Sequence, residues 1–147
     1  MRHGRRQSVK KQAINLPDTN TIIRYLIKDD VNQYLIAEAF FTKVLTGEEK
    51  AIILESVLVE CIYILTKTYK VPKEEASVNL IELLHYKGIQ NRDRNEFIAA
   101  LDLFSEKNLD IADCILCARA KKSDYILFTF DKDLKKIRGK LDHLMLP

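Results

Sequence analysis

The sequence is short of the residues on which several large classes of protein depend. It has three cysteines, Cys61, Cys114 and Cys117, too few for a disulfide framework, and their odd number fits a reducing compartment. Cys114 and Cys117 form a C-x-x-C, but the pair lies inside the apolar pattern IADCILCARA. With no second pair and no nearby histidine to complete four zinc ligands, these thiols are expected to be buried and structural. The three histidines, His3, His85 and His143, form no constellation. Four glycines in 147 residues leave no phosphate-cradling loop, and H-E-x-x-H and G-x-S-x-G are both missing. Hydrolysis by zinc or by a nucleophilic serine is therefore disfavoured. No apolar run approaches the roughly 18 residues needed to span a bilayer. The basic start MRHGRRQSVKKQ is followed by AINLPD, too short and too polar for the apolar segment of a signal peptide. No membrane association and a cytoplasmic location are expected.

What is there describes an ordinary soluble domain, 47% hydrophobic and 31% charged. A chain of this length buries about two-thirds of its unfolded surface without staples. The net charge of +3 comes from the leader, residues 1–12, which carries Arg2, Arg5, Arg6, Lys10 and Lys11 and no acid. A solvated basic leader and a single domain over 13–147 are the expected organisation.

Along that domain, short strand-like runs alternate with helical ones. INL at 14–16 and AIIL at 51–54 read as strands, YILF at 125–128 as another, and KGIQ and HLML as short candidates. Between them lie DTNTIIRYLI, a helix capped by Asp30 with a buried stripe of Tyr34, Leu35, Ala37, Phe40 and Phe41, and a helix over VLVECIYILTKTY capped by Ser56. Further helices start at Pro72, run through FIAALDLFSE and DIADCILCARAKK, and close with DLKKIRGK. Strands separated by helices, without two-residue hairpin turns, predict a parallel sheet covered on both faces.

In such a sheet the strand C-termini and the following helix N-termini share one edge, where ligands bind. Four carboxylates fall there: Asp18 after the first strand, Glu60 in the second turn of the helix after the second strand, Asp113 early in its helix, and Asp131 just after YILF. Asp18, Asp110, Asp113 and Asp131 each have a helix-capping or helix-dipole alternative, with capping the main role expected of Asp110. Glu60 has none, since it sits within VLVECIYIL with no basic residue of its own helix within four positions. Crowded carboxylates raise one another's pKa unless a cation neutralises them, and an oxygen-only cluster suits Mg²⁺ or Mn²⁺.

Together LPDTNTIIRYLIKDD, SVLVECIYIL, LDIADCILCARAK and ILFTFDKDL resemble a PIN-domain ribonuclease, and within that group the VapC-type toxins of toxin–antitoxin pairs. The resemblance implies a three-layer α/β/α sandwich around a short parallel sheet, with Mg²⁺ or Mn²⁺ held by Asp18, Glu60, Asp113 and Asp131, which are also the catalytic acids. It implies Asn20 and Thr129 as polar supports of the same pocket. It also implies hydrolysis of RNA by metal-activated water, leaving a 5′-phosphate and a 3′-hydroxyl, an antitoxin that masks the acids, and a homodimer. Pro17, in place of an apolar strand residue, and the basic leader depart from the pattern. Candidate RNA contacts are Arg24, Arg119 and Lys132, with Lys121, Lys122, Lys135, Lys136, Arg138 and Lys140 also on the last third of the chain. Two other functions fit the same acidic pocket: a phosphoacceptor signalling domain, and a non-catalytic binding module in which the acids only cap helices.

Overall fold

A computed structural model describes residues 12–122 and 124–137. The leader apart from Gln12, the candidate strand HLML, and Arg138 and Lys140 lie outside the described residues.

The first strand, β1 (Ile14–Asn15), is short because Pro17 follows it and offers no amide hydrogen to a ladder. Helix α1 (Thr19–Ile27) then begins at Asp18, whose carboxylate accepts from the Thr21 amide. It ends at Lys28, in the left-handed region at φ 64°. Asp30 caps α2 (Val31–Thr46) in the same way through the Gln33 amide. Gly47, at φ 85°, closes that helix as the sequence predicts, where a side chain would be strained. The core face of α2 is Ala37, Phe41 and Val44, whereas Leu35, expected in that stripe, is exposed along with Val31 and Ile36.

Strand β2 (Lys50–Ala51) pairs in parallel with β1, Ile14 opposite Lys50 and Asn15 opposite Ala51. A single parallel bridge joins Ala51 to Ile89, so KGIQ contributes one rung. Gly88 makes that approach feasible: a Cβ there would stand 2.1 Å from the Glu49 carbonyl oxygen. Beyond Ala51 the sheet is continued by a side chain, for the Asn91 amide accepts from Ile53 N at 2.9 Å and donates to Ile53 O at 2.8 Å. The expected strand over 51–54 is thus shorter than its apolar run, and YILF forms no strand: residues 125–129 carry no regular structure. Leu127 is buried beside Cys117 and Leu134, while Tyr125, Ile126, Phe128 and Phe130 are exposed.

Helix α3 (Glu55–Tyr63) follows Leu54, which has no side-chain cap, so Ser56 is not the cap. It widens into a π-turn, Ile64–Thr68, where Tyr69 N reaches Ile64 O at 3.1 Å. Next come α4 (Lys73–Leu84), with Pro72 at its cap and Glu74 and Glu75 in its first turn, α5 (Arg94–Glu106) and α6 (Ile111–Lys122). A short helix α7 spans 132–137. The core is one cluster that includes Ile22, Phe41, Ile53, Leu58, Ile62, Leu80, Phe97 and Ile115. Each such side chain contributes roughly 1.5–3 kcal/mol by leaving water. The fold is α/β, mostly helical around a short parallel sheet, with α1 packed on α2 and α3, and α5 between α4 and α6.

Candidate functional site

The caps and turns that build this fold also place the acids. Asp18 is exposed, and both of its hydrogen bonds, from Thr21 N at 2.9 Å and Thr21 Oγ1 at 2.8 Å, fall on Oδ1. Those bonds hold its carboxyl below the usual carboxylate range. Glu60 is also exposed, which corrects its expected burial: Leu58, Cys61, Ile62 and Leu65 form the buried stripe of α3 and its π-turn, and Glu60 lies off it. The opening paradox of a buried carboxylate therefore dissolves. Asp18 and Glu60 do share a neighbourhood, since the charges of both bear on the Cys61 thiol.

Asp113 and Asp131 come together elsewhere in the described residues, lining a cavity of about 410 Å³ with Asp110 and Asp133. Burial first, then the charges of Asp110 and Asp131, push the Asp113 carboxyl above its ordinary value, despite its place in the first turn of α6. Asp131 caps α7, accepting on Oδ1 from Asp133 N at 2.8 Å and Leu134 N at 3.3 Å. Its own amide donates to Thr129 Oγ1 at 3.1 Å, the support expected of that threonine. Asp110, read as a cap, makes no side-chain hydrogen bond among the described residues; its carbonyl oxygen accepts from Cys114 N. Among the described residues, no three His, Cys, Asp or Glu side chains are gathered as a set for one ion. The donor chemistry, hard carboxylate oxygens with one carboxyl already raised by its neighbours, fits Mg²⁺ or Mn²⁺.

The supporting and basic residues divide differently from expectation. Asn20 lines another cavity, between α1 and α2, with Thr21, Arg24 and Phe40. Arg24 is engaged by Asp29 at 2.9 Å and by Gln33 at 2.7 Å. Arg119 is engaged by Glu55 at 2.8 Å and Glu96 at 3.0 Å, with Asp93 at 3.9 Å. Both arginines serve the fold, while Lys132 is exposed on α7. The acid cavity instead has Thr66, Lys67, Lys73 and Asn108 among its other lining residues. None of these carries a local sequence signal; the spacing of Thr66 and Lys67 to Ile62 and Tyr63 on one helical face is the clue that sequence reading left unused.

Burial pushes the Cys61 and Cys114 thiols up to about 12, and raises Cys117 in the same direction. These are protonated, structural cysteines, as the apolar pattern predicts. Among the described residues no helix is long and apolar enough to cross a membrane. In comparison with known families, the model of the PIN domain matches residues 16–140, well over half of the chain. No curated protein and no solved structure matches it.

Proposed function

The chain belongs to the PIN-domain family, whose members are usually nucleases, and from that premise we propose that it is a Mg²⁺- or Mn²⁺-dependent endoribonuclease acting as the toxin of a toxin–antitoxin pair. The observation that carries this reading is the Asp113 carboxyl, raised by burial and by the charges of Asp110 and Asp131 in a cavity open to solvent. Clustered acids of this kind gain from a divalent cation, which removes their mutual repulsion. Asp18, Glu60, Asp113 and Asp131 are the residues that would hold the ion. When bound, it supplies polarisation of the phosphodiester and a lowered pKa for water.

The chain's own groups have separable tasks. Thr21 fixes Oδ1 of Asp18, so among the described residues Oδ2 is left without a hydrogen bond. Thr129 and the start of α7 fix Asp131. Asp113 contributes a carboxylate whose proton is held more tightly than usual. An antitoxin that covers this cavity and a homodimer complete the reading.

The test is Mn²⁺-dependent cleavage of single-stranded RNA by the full chain, with Asp18→Asn and Asp113→Asn beside it. Loss of cleavage in both variants with the fold retained is expected. Cleavage at the wild-type rate by Asp113→Asn would falsify the reading.

A further inference from the structure

The cavity that holds Asp110, Asp113, Asp131 and Asp133 has a wall of opposite charge, built from Lys67 in the π-turn and Lys73 at the start of α4. Neither lysine is among the ion pairs of the described residues, so the four aspartates do not neutralise them. Lys67 is exposed. Lys73 is half-buried and aimed: Nζ donates to Lys107 O at 2.7 Å and stands 5.7 Å from the centre of the Phe104 ring. An ammonium has three donors, so two remain after the bond to Lys107. The Lys73 charge also bears on the Cys114 thiol, lowering its pKa against the effect of burial, which places that cation beside the first turn of α6. The arginines that the sequence nominates for RNA, Arg24 and Arg119, are already paired with acids.

A polyanion that presents one phosphate to a group of carboxylates is repelled there unless its neighbouring phosphates meet cations. An ammonium suits that task as a point charge that binds phosphate without demanding a fixed plane. Resting on the nuclease reading above, we propose that Lys67 and Lys73 bind the backbone phosphates of single-stranded RNA beside the acids, and so set where the strand lies across the cavity. The contacts are to phosphate, so they supply affinity and register and no choice of base.

The experiment measures anisotropy of a fluorescein-labelled single-stranded RNA in EDTA, over a range of KCl concentrations, for the full chain and for Lys67→Gln, Lys73→Gln, Lys67→Arg and Lys43→Gln. Lys43 is exposed on α2 and does not line the cavity. Lys67→Gln and Lys73→Gln should each weaken binding severalfold and reduce the slope of log K against log salt by about one. Lys67→Arg should retain the wild-type slope, and Lys43→Gln should behave as wild type. Slopes for both glutamine variants equal to the wild type, an equal loss in Lys43→Gln, or no RNA binding by the wild type overturns the proposal. Cleavage with Mn²⁺, run in parallel, separates the two claims. A wild type that binds as described but never cuts removes the nuclease reading and leaves the lysine wall; a wild type that cuts while the lysine variants match it removes the wall alone.

Discussion

The Arg119 guanidinium reaches Glu55 at 2.8 Å, so the far end of α6 is tied to the first residue of α3. The two helices thus joined carry Asp113 and Glu60, and Glu96 of α5 joins the same arginine at 3.0 Å. Exposed pairs contribute little, but here one cation answers three acids, and the Glu96 side chain is only 14% exposed. Arg119→Ala should therefore lower stability by about 1 kcal/mol, more than Glu55→Gln does. Urea denaturation midpoints measure this; an unchanged midpoint in Arg119→Ala would show that the cluster is inert.

Asp18 separates a structural role from a chemical one. Asparagine caps a helix about as well as aspartate, so Asp18→Asn should keep the stability of α1 while Asp18→Ala loses about 1 kcal/mol. Because the Thr21 hydrogen bonds lower the folded pKa of Asp18, the contribution of its charge is present above the ordinary carboxylate range. It is lost as pH falls through the lowered folded value. Thermal melts of the wild type and both variants across that acid range would show it; equal melting temperatures for Asn and Ala at neutral pH would refute the capping role.

Asp113 carries the opposite sign. Its folded pKa is raised, so the contribution it makes to stability is complete below the unfolded pKa and is lost as pH rises through the folded one. Asp113→Asn, which does not ionise, should melt higher than the wild type at neutral pH, and the gap should close in acid. Under the proposed function, Mn²⁺ should raise the melting temperature of the wild type and leave the variant unmoved. A lower melting temperature for Asp113→Asn at neutral pH would contradict the crowding of Asp110, Asp113 and Asp131.

The thiols offer a direct probe of the core. Cys61, Cys114 and Cys117 are buried, and burial raises all three thiols, so few thiolates exist at mildly alkaline pH. Ellman's reagent should leave the native chain essentially unreacted and titrate all three groups in denaturant. A thiol that reacts rapidly in the native state would show that one of these helices opens.

These residues show where sequence reading succeeds. Asp18, Asp30, Gly47 and Pro72 were legible because a cap is decided within a few residues of itself. Glu60 was misjudged because its neighbours in sequence are apolar, whereas its neighbours in space follow the helical period that buries Leu58, Cys61, Ile62 and Leu65. YILF has the composition of a strand but no ladder over 125–129, since pairing depends on a distant partner that composition does not specify. Arg24 and Arg119 looked available because Asp29, Glu55 and Glu96 reach them only once the chain is folded. Asn91, Lys67 and Lys73 are single polar residues, and nothing local marks one that closes a sheet or faces an acid. The acids of the proposed site were legible as residues, by their order and spacing; how they divide between the surroundings of Cys61 and the cavity of Asp113 was not.

The widened turn at Ile64–Thr68 has a consequence for length variants of this chain. A π-turn accommodates one residue more than the α-turn it replaces. Deleting a single residue there would restore an unbroken α-helix at no backbone cost, yet it would swing everything downstream by about 100°. Tyr69 would then lose Asp29, to which its hydroxyl now donates at 2.9 Å, and Lys67 would point away from the aspartates it faces. The extra residue is dispensable to the helix and indispensable to what the helix presents.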